Sequence, residues 1–157
     1  IIYIRKLVGS TPHIVQQYIA LAEVGGRPID IRVMVQRMKS RPWNITGSLA
    51  KVAGAKHIVT NVARSKGYVL PTRTALKKTF GNDKKVEKIV SSLNQTSMIA
   101  AKQLGKSYST RKVGLDMGID TNGKVWIIEP NFDPAFSLFL KLKDKTMYRT
   151  IVKYNRS

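Results

Sequence analysis

Asn122-Gly123 stands between two apolar-rich runs within Gly114–Asn131, and this dipeptide is the strongest short-range signal for a two-residue type I′ hairpin. Such a turn dictates a register. Thr121 faces Lys124, Asp120 faces Val125, Ile119 faces Trp126, Met117 faces Ile128 and Asp116 faces Glu129. Opposed residues of an antiparallel pair share a face, so Leu115, Met117, Ile119, Trp126 and Ile128 are expected on the apolar side. Asp116, Asp120, Glu129 and, one pleat on, Asn131 take the polar side.

Directly opposed residues have Cβ atoms roughly 4.5–5.5 Å apart, and like charges at that separation destabilise a sheet. Two facing carboxylates therefore need a proton, a cationic side chain or a metal between them. The composition makes their meeting unusual, because 157 residues carry 28 Lys and Arg but only 9 Asp and Glu, a net charge of +19. Carboxylates with an amide oxygen are hard ligands suited to Mg²⁺ or Mn²⁺, and Mg²⁺ commonly completes its shell with water and substrate phosphates. The other reading pairs Asp116 and Glu129 with the abundant Lys and Arg, and the residues alone leave both open. Arg32 poses a similar choice on the polar face of its strand with Asp30 and Gln36. Its guanidinium could grip a phosphate or acyl phosphate in a bidentate fork, or pair with Asp30 or face solvent.

With no cysteine and only His13 and His57, disulfide frameworks, thiolate zinc sites, cysteine nucleophiles and histidine-rich metal sites are excluded. No apolar run approaches the ~18 residues of a spanning helix. The positive field favours polyanionic partners. Lys and Arg are nevertheless scattered in ones and twos, as in Lys77-Lys78 and Lys84-Lys85, rather than gathered into a nucleic-acid-binding tail. The opening Ile1-Ile2 reads as the start of a piece of a longer polypeptide.

His13–Leu21 predicts a strand, Val24–Pro28 a turn, and Asp30–Arg37 a strand with Ile31, Val33 and Val35 on one side. Trp43–Ala53 predicts another strand and Ala63–Gly67 a loop. Asp83–Leu104 has helical periodicity, with Asp83 as N-cap and Gly105 as stop. Lys112–Thr121 and Lys124–Asn131 form the hairpin strands. Phe132, Phe136, Phe139 and Leu140 recur at helical spacing and are expected to pack, while Tyr148–Lys153 reads as a surface segment. Trp43 and Trp126 are expected in the core, and His57 has no partner in sequence that would make it catalytic. Strands with one long helix and no βαβ alternation predict an α+β architecture.

Several ordered motifs carry a family likeness: Ile14–Ile19 (IVQQYI), Asp30–Gln36 (DIRVMVQ), Trp43–Gly47 (WNITG), Val59–Arg64 (VTNVAR), and Gly114-Leu115-Asp116 leading to Ile128-Glu129-Pro130-Asn131. Together they resemble the carboxyl-terminal half of an ATP-grasp domain, and in particular the endospore coat-associated ATP-grasp family of spore-forming bacteria. The resemblance implies an ATP-grasp-like antiparallel sheet with packed helices. It also implies that residues 1–157 are one partial domain, from nucleotide hinge to metal-binding hairpin, without the amino-terminal part that supplies nucleotide-covering lysines. Gln16, Gln17, Tyr18 and Ile19 would meet adenine, and Arg32 would act catalytically on the phosphates or acyl phosphate. Asn61 and Arg64 would lie near the γ-phosphate, and Asp116, Glu129 and Asn131 would hold Mg²⁺ (or Mn²⁺) bridging the phosphates of ATP.

The implied activity is ATP-dependent ligation of a small carboxylate to an amine, less often a thiol, in a cytoplasmic, spore-associated protein with no membrane span; the fragment is expected to be inactive alone. Four positions depart from the family pattern: Ser65-Lys66-Gly67 after Arg64, Ala135 after Pro134, Pro130 inside the acidic motif, and Lys51 where Arg is usual. The alternative is a non-catalytic basic protein of the spore coat that is structural or binds polyanions, nucleic acid among them.

Overall fold

The computed structural model describes residues 16–54 and 67–156. Five antiparallel strands form one sheet: β1 (Ile29–Gln36), β2 (Asn44–Val52), β3 (Tyr68–Pro71), β4 (Lys112–Ile119) and β5 (Val125–Asn131), in the order β3-β2-β1-β4-β5. Helices α1 (Thr72–Phe80) and α2 (Asp83–Ser107) separate β3 from β4. A 3-10 turn (Ser137–Lys141) and helix α3 (Thr146–Asn155) follow β5. The architecture is α+β, as expected.

Alternation in β1 decides the layering. Ile29, Ile31, Val33 and Val35 enter one buried cluster with Leu115, Met117 and Ile119 of β4 and with Ala75, Leu76, Ile89 and Leu93 of α1 and α2. Met34, on the opposite face, joins Leu49, Phe139, Leu142 and Ile151 beneath the 3-10 turn and α3. This second layer covers only one end of its face. Beyond it lie Asp30, Arg32, Lys51 and Asp116, a charged block that belongs to neither apolar cluster.

Several elements differ from the sequence expectation. The strand expected over His13–Leu21 does not form in its described part: residues 16–20 carry no strand, and Leu21 makes a single bridge to Asp120. Among the described residues two backbone bonds tie this stretch to the hairpin, Ala22 N–H to Ile119 C=O (2.7 Å) and Thr121 N–H to Ala20 C=O (3.1 Å). Asn61, Arg64, His57 and most of the loop expected at Ala63–Gly67 lie outside the described residues. Strand β3 and helix α1 carried no sequence expectation, although Gly81 at φ 68° ends α1 as a left-handed stop should. Tyr148–Lys153, expected as a surface segment, lies within helix α3, whose Ile151 is buried.

Helix α2 is capped by Asn82, whose side chain accepts from Lys85 N–H at 3.0 Å, rather than by Asp83. Gly105 does not stop the helix, which continues to Ser107. Its role is steric, since a Cβ there would lie 2.6 Å from the buried Trp43 ring. Gly→Ala in a helix interior normally stabilises by about 1 kcal/mol. Here Gly105→Ala is expected to destabilise by about 1–3 kcal/mol through overpacking, read as a lower urea midpoint at constant slope.

Candidate functional site

The hairpin that carries the acids is built differently from the expected two-residue turn. Type I′ needs positive φ at both central residues, but among the described residues Ser40 is the only non-glycine with positive φ. Instead Gly123 N–H donates to Asp120 C=O (2.9 Å) and Asp120 N–H to Lys124 C=O (3.0 Å), closing a three-residue loop with Gly123 at φ 92°. The Asp120 carboxylate accepts from Asn122 N–H, Lys124 N–H and Trp126 Nε1–H. Burial raises its pKa slightly, and these donors outweigh it to hold the group below the usual carboxylate range. The two-residue Gly-Gly turn is elsewhere: Gly25 and Gly26 both have positive φ, and Val24 and Arg27 exchange backbone bonds around them.

The longer loop slips the ladder by one, so Ile119 pairs with Val125, Gly118 with Trp126 and Met117 with Ile127. Trp126 therefore leaves the apolar face where it was expected and stands half-buried on the polar side, beneath the Lys124 ammonium. An irregularity between Asp116 and Met117 then takes up Ile128 as an extra residue and restores the expected pairing of Asp116 with Glu129, with Asn131 opposite Gly114. Two departures cancel at the position that matters.

Across β2, β1 and β4 two rungs bring the charges together. One aligns Lys51, Asp30 and Gly118; the next aligns Leu49, Arg32 and Asp116. Arg32 grips Asp116 with both arms, Nε to Oδ1 at 2.6 Å and Nη2 to Oδ2 at 3.0 Å, and its Nη1 reaches Ala135 C=O at 3.4 Å. Lys51 Nζ lies 2.9 Å from Asp30 Oδ1 and 3.3 Å from Asp116 Oδ2. Burial pushes the Asp30 pKa up to about 7, outweighing Lys51. Burial also acts to raise Asp116, but its bonds to Arg32 and the Lys51 charge prevail and hold it below the usual range.

Of the two readings open in the sequence, cationic pairing holds for Asp116. Glu129 is exposed and has no ion pair among the described residues. Asn131 Oδ1 accepts from Asp133 N–H at 2.9 Å, a local turn that leaves one lone pair unused. The donor chemistry fits a hard cation, because carboxylates offer about four acceptor sites each and two oppose one another across a ladder. Among the described residues no three His or acidic groups stand ready to enclose a metal. An ion held here would draw the rest of its shell from water and phosphate oxygens.

Tyr18 and Ile19 line a hollow of about 480 Å³ with Leu21, Arg27 and Thr121, whereas Gln16 and Gln17 do not line it. Leu21 and Ile128 close over Gly118, where a Cβ would meet them at 3.1 and 3.5 Å. Sequence reasoning passed over Asp30 and Lys51 as parts of one cluster. The usable signal was Asp30 at an even position of a strand whose odd positions are apolar, repeated in β4 as Gly114, Asp116 and Gly118.

A family model for YheC/D-like ATP-grasp proteins matches residues 1–156. The chain belongs to the YheC/D-like ATP-grasp family. The chain is similar to the endospore coat-associated protein YheD of Bacillus subtilis (strain 168), with 29% identity over 137 residues, 86% of this chain and 29% of that relative. It thus spans less than a third of the length of the curated protein it matches. Its fold is similar to the C-terminal domain of K. lactis Pby1, described as an ATP-grasp enzyme interacting with the mRNA decapping enzyme Dcp2. That match has a TM-score of 0.56 and 16% identity, and covers 88% of this chain and 44% of the other. Among the described residues of this ATP-grasp chain, no helix is long and apolar enough to cross a membrane.

Proposed function

We propose that this chain is the ATP- and Mg²⁺-binding half of an ATP-grasp ligase that joins a small carboxylate to an amine, in a protein connected with the spore. One observation supports the reading: Arg32 and Lys51 converge on Asp116 opposite Glu129, which has no ion pair among the described residues. A triphosphate entering this face meets two cations that its oxygens can recruit from Asp116. Asp116, Glu129 and Asn131 would then hold a divalent ion. When bound, that ion neutralises phosphate charge and draws the phosphoryl group into line with its acceptor.

The residues of the chain divide the remaining work. The Arg32 fork is suited to three equatorial phosphoryl oxygens, and its bond to Ala135 C=O fixes the guanidinium from behind. The apolar lip of Leu21 and Ile128 beside Tyr18 and Ile19 suits a flat base. Transfer of the γ-phosphoryl group to a carboxylate oxygen yields ADP and an acyl phosphate. Attack of an amine on that carbonyl forms the amide and releases phosphate. Asn61 and Arg64 belong to this reading as contacts of the γ-phosphate side.

Titration calorimetry of the full-length protein with Mg·ATP tests it. The double variant Asp116→Asn with Glu129→Gln is expected to lose Mg²⁺-dependent binding by at least about 100-fold, roughly 2.7 kcal/mol, which is less than two charge-assisted contacts of ~1.5–3 kcal/mol each can supply. Unchanged affinity in the double variant overturns the assignment. Phosphate release with amino acids and small carboxylates as co-substrates then identifies the ligase substrates.

A further inference from the structure

We propose a second binding site, for single-stranded nucleic acid, at the end of the sheet where β4 begins. The folded chain gathers there what the sequence keeps apart. A cavity of about 620 Å³ is lined by Tyr108, Phe132, Arg111 and Lys112 among others. It adjoins a second hollow of about 430 Å³ that adds Arg37 and Lys39, with residues 109–111 as the shared wall. Both volumes lie within the ~300–1,000 Å³ of ordinary ligand sites. Neither hollow shares a residue with the Asp116 cluster.

The lining combines flat rings with cations. Tyr108 is 54% exposed, with its ring centroid 4.7 Å from that of Phe132. Arg111 and Lys112 line the same hollow as the rings, and Arg37 and Lys39 line the adjoining one; Lys112 meets Asp133 at 2.8 Å, and the Arg37 guanidinium lies 4.8 Å from the centre of the Trp43 ring. Exposed rings reward partners that present a π-face, and cations at fixed spacing reward a charged backbone. A single strand offers both in every nucleotide. A duplex offers only its phosphates, because its bases are shut in the stack.

The wall is also fixed in advance. Arg37 N–H donates to Arg111 C=O at 2.8 Å, the Arg37 guanidinium reaches Thr110 C=O at 3.3 Å, and Thr110 Oγ1 donates to Lys112 C=O at 2.7 Å. A preformed surface loses little entropy on binding.

The site stands independently of the ATP reading, and one experiment separates them. Fluorescence anisotropy of labelled dT12 and U12 with the full-length protein is measured against salt, with a duplex of equal length and a polyphosphate of equal charge as competitors. Tyr108→Ala is expected to weaken the single strands about tenfold at unchanged salt slope, since it removes stacking and no charge. Arg111→Ala with Lys112→Ala is expected to lower the slope by about 1.4, two contacts at ~0.7 each. Tyr108→Trp, which keeps a ring, should retain binding and guards against a folding defect in the alanine variant. Mg·ATP at matched ionic strength should leave the strand bound. Binding unchanged within twofold in Tyr108→Ala, equal affinity for polyphosphate or duplex, or displacement by ATP each overturns the site.

Discussion

Lys51→Met is expected to cost about 3–5 kcal/mol of stability at pH 8 and much less at pH 5. Lys51 is the cation nearest the buried Asp30, which is 4% exposed, and it also touches Asp116. Its removal takes from the buried Asp30 the ammonium 2.9 Å away, so ionisation inside the sheet becomes more costly. The sign follows from linkage. Asp30 has a folded pKa of about 7, above its unfolded value near 3.8. The folded state therefore keeps a proton that the unfolded state has lost, and stability contributed below pH 3.8 is lost as pH rises toward 7.

Without Lys51 its charge and its hydrogen bond no longer lower the Asp30 pKa, only the Arg32 charge still does, and the decline extends to higher pH. Asp116 acts in the opposite sense: its pKa is lowered, so its contribution is present at neutral pH and lost on acidification. Urea denaturation of the native chain and the variant at pH 5 and pH 8 resolves the two. A loss of equal size at both pH values would show that Lys51 acts by packing rather than by charge. Adding Asp30→Asn to Lys51→Met should recover most of the stability at pH 8.

Phe139→Ala is expected to destabilise by about 3–5 kcal/mol, the usual cost of removing a fully buried phenylalanine. Phe139 is fully buried and anchors the smaller of the two apolar layers, with Met34, Leu49, Leu142 and Ile151. Gly47 exists to receive it: a Cβ there would lie 2.8 Å from the ring and 3.0 Å from Ile151. The variant should lose hydrogen-exchange protection first in α3, while α2, which packs on the other face, keeps its own. Protection lost together in both helices would mean that the layers unfold as one unit. The same residue steadies the functional face, because the segment leading into the 3-10 turn carries the Ala135 carbonyl to which Arg32 donates.

Local chemistry made much of this chain legible as a sequence. The alternation of β1 announced both its faces, since apolar and polar residues at a period of two leave no other burial. The 3.6-residue period of α2 was equally plain, although its cap and end were displaced by one to three residues. Asp116 was matched with Glu129 correctly but by an incomplete route, because the three-residue loop and the irregularity near Ile128 offset one another. Neither could be seen locally: Asn-Gly is compatible with two loop lengths, and a bulge depends on what the strand must pack against. Trp126 was misplaced for that reason alone.

The sequence by itself determined the chemistry available at this site: two acids on paired strands, an amide two residues on, and an arginine on the polar side of a neighbouring strand. Only the tertiary structure decided which charges meet. Arg32 lies 84 residues from Asp116, and Lys51 reaches Asp30 and Asp116 only because β1 is paired with β2 on one side and β4 on the other. Pairing between distant strands is set by the burial of the whole sheet against α1 and α2, a sum over many weak contacts that no local segment encodes.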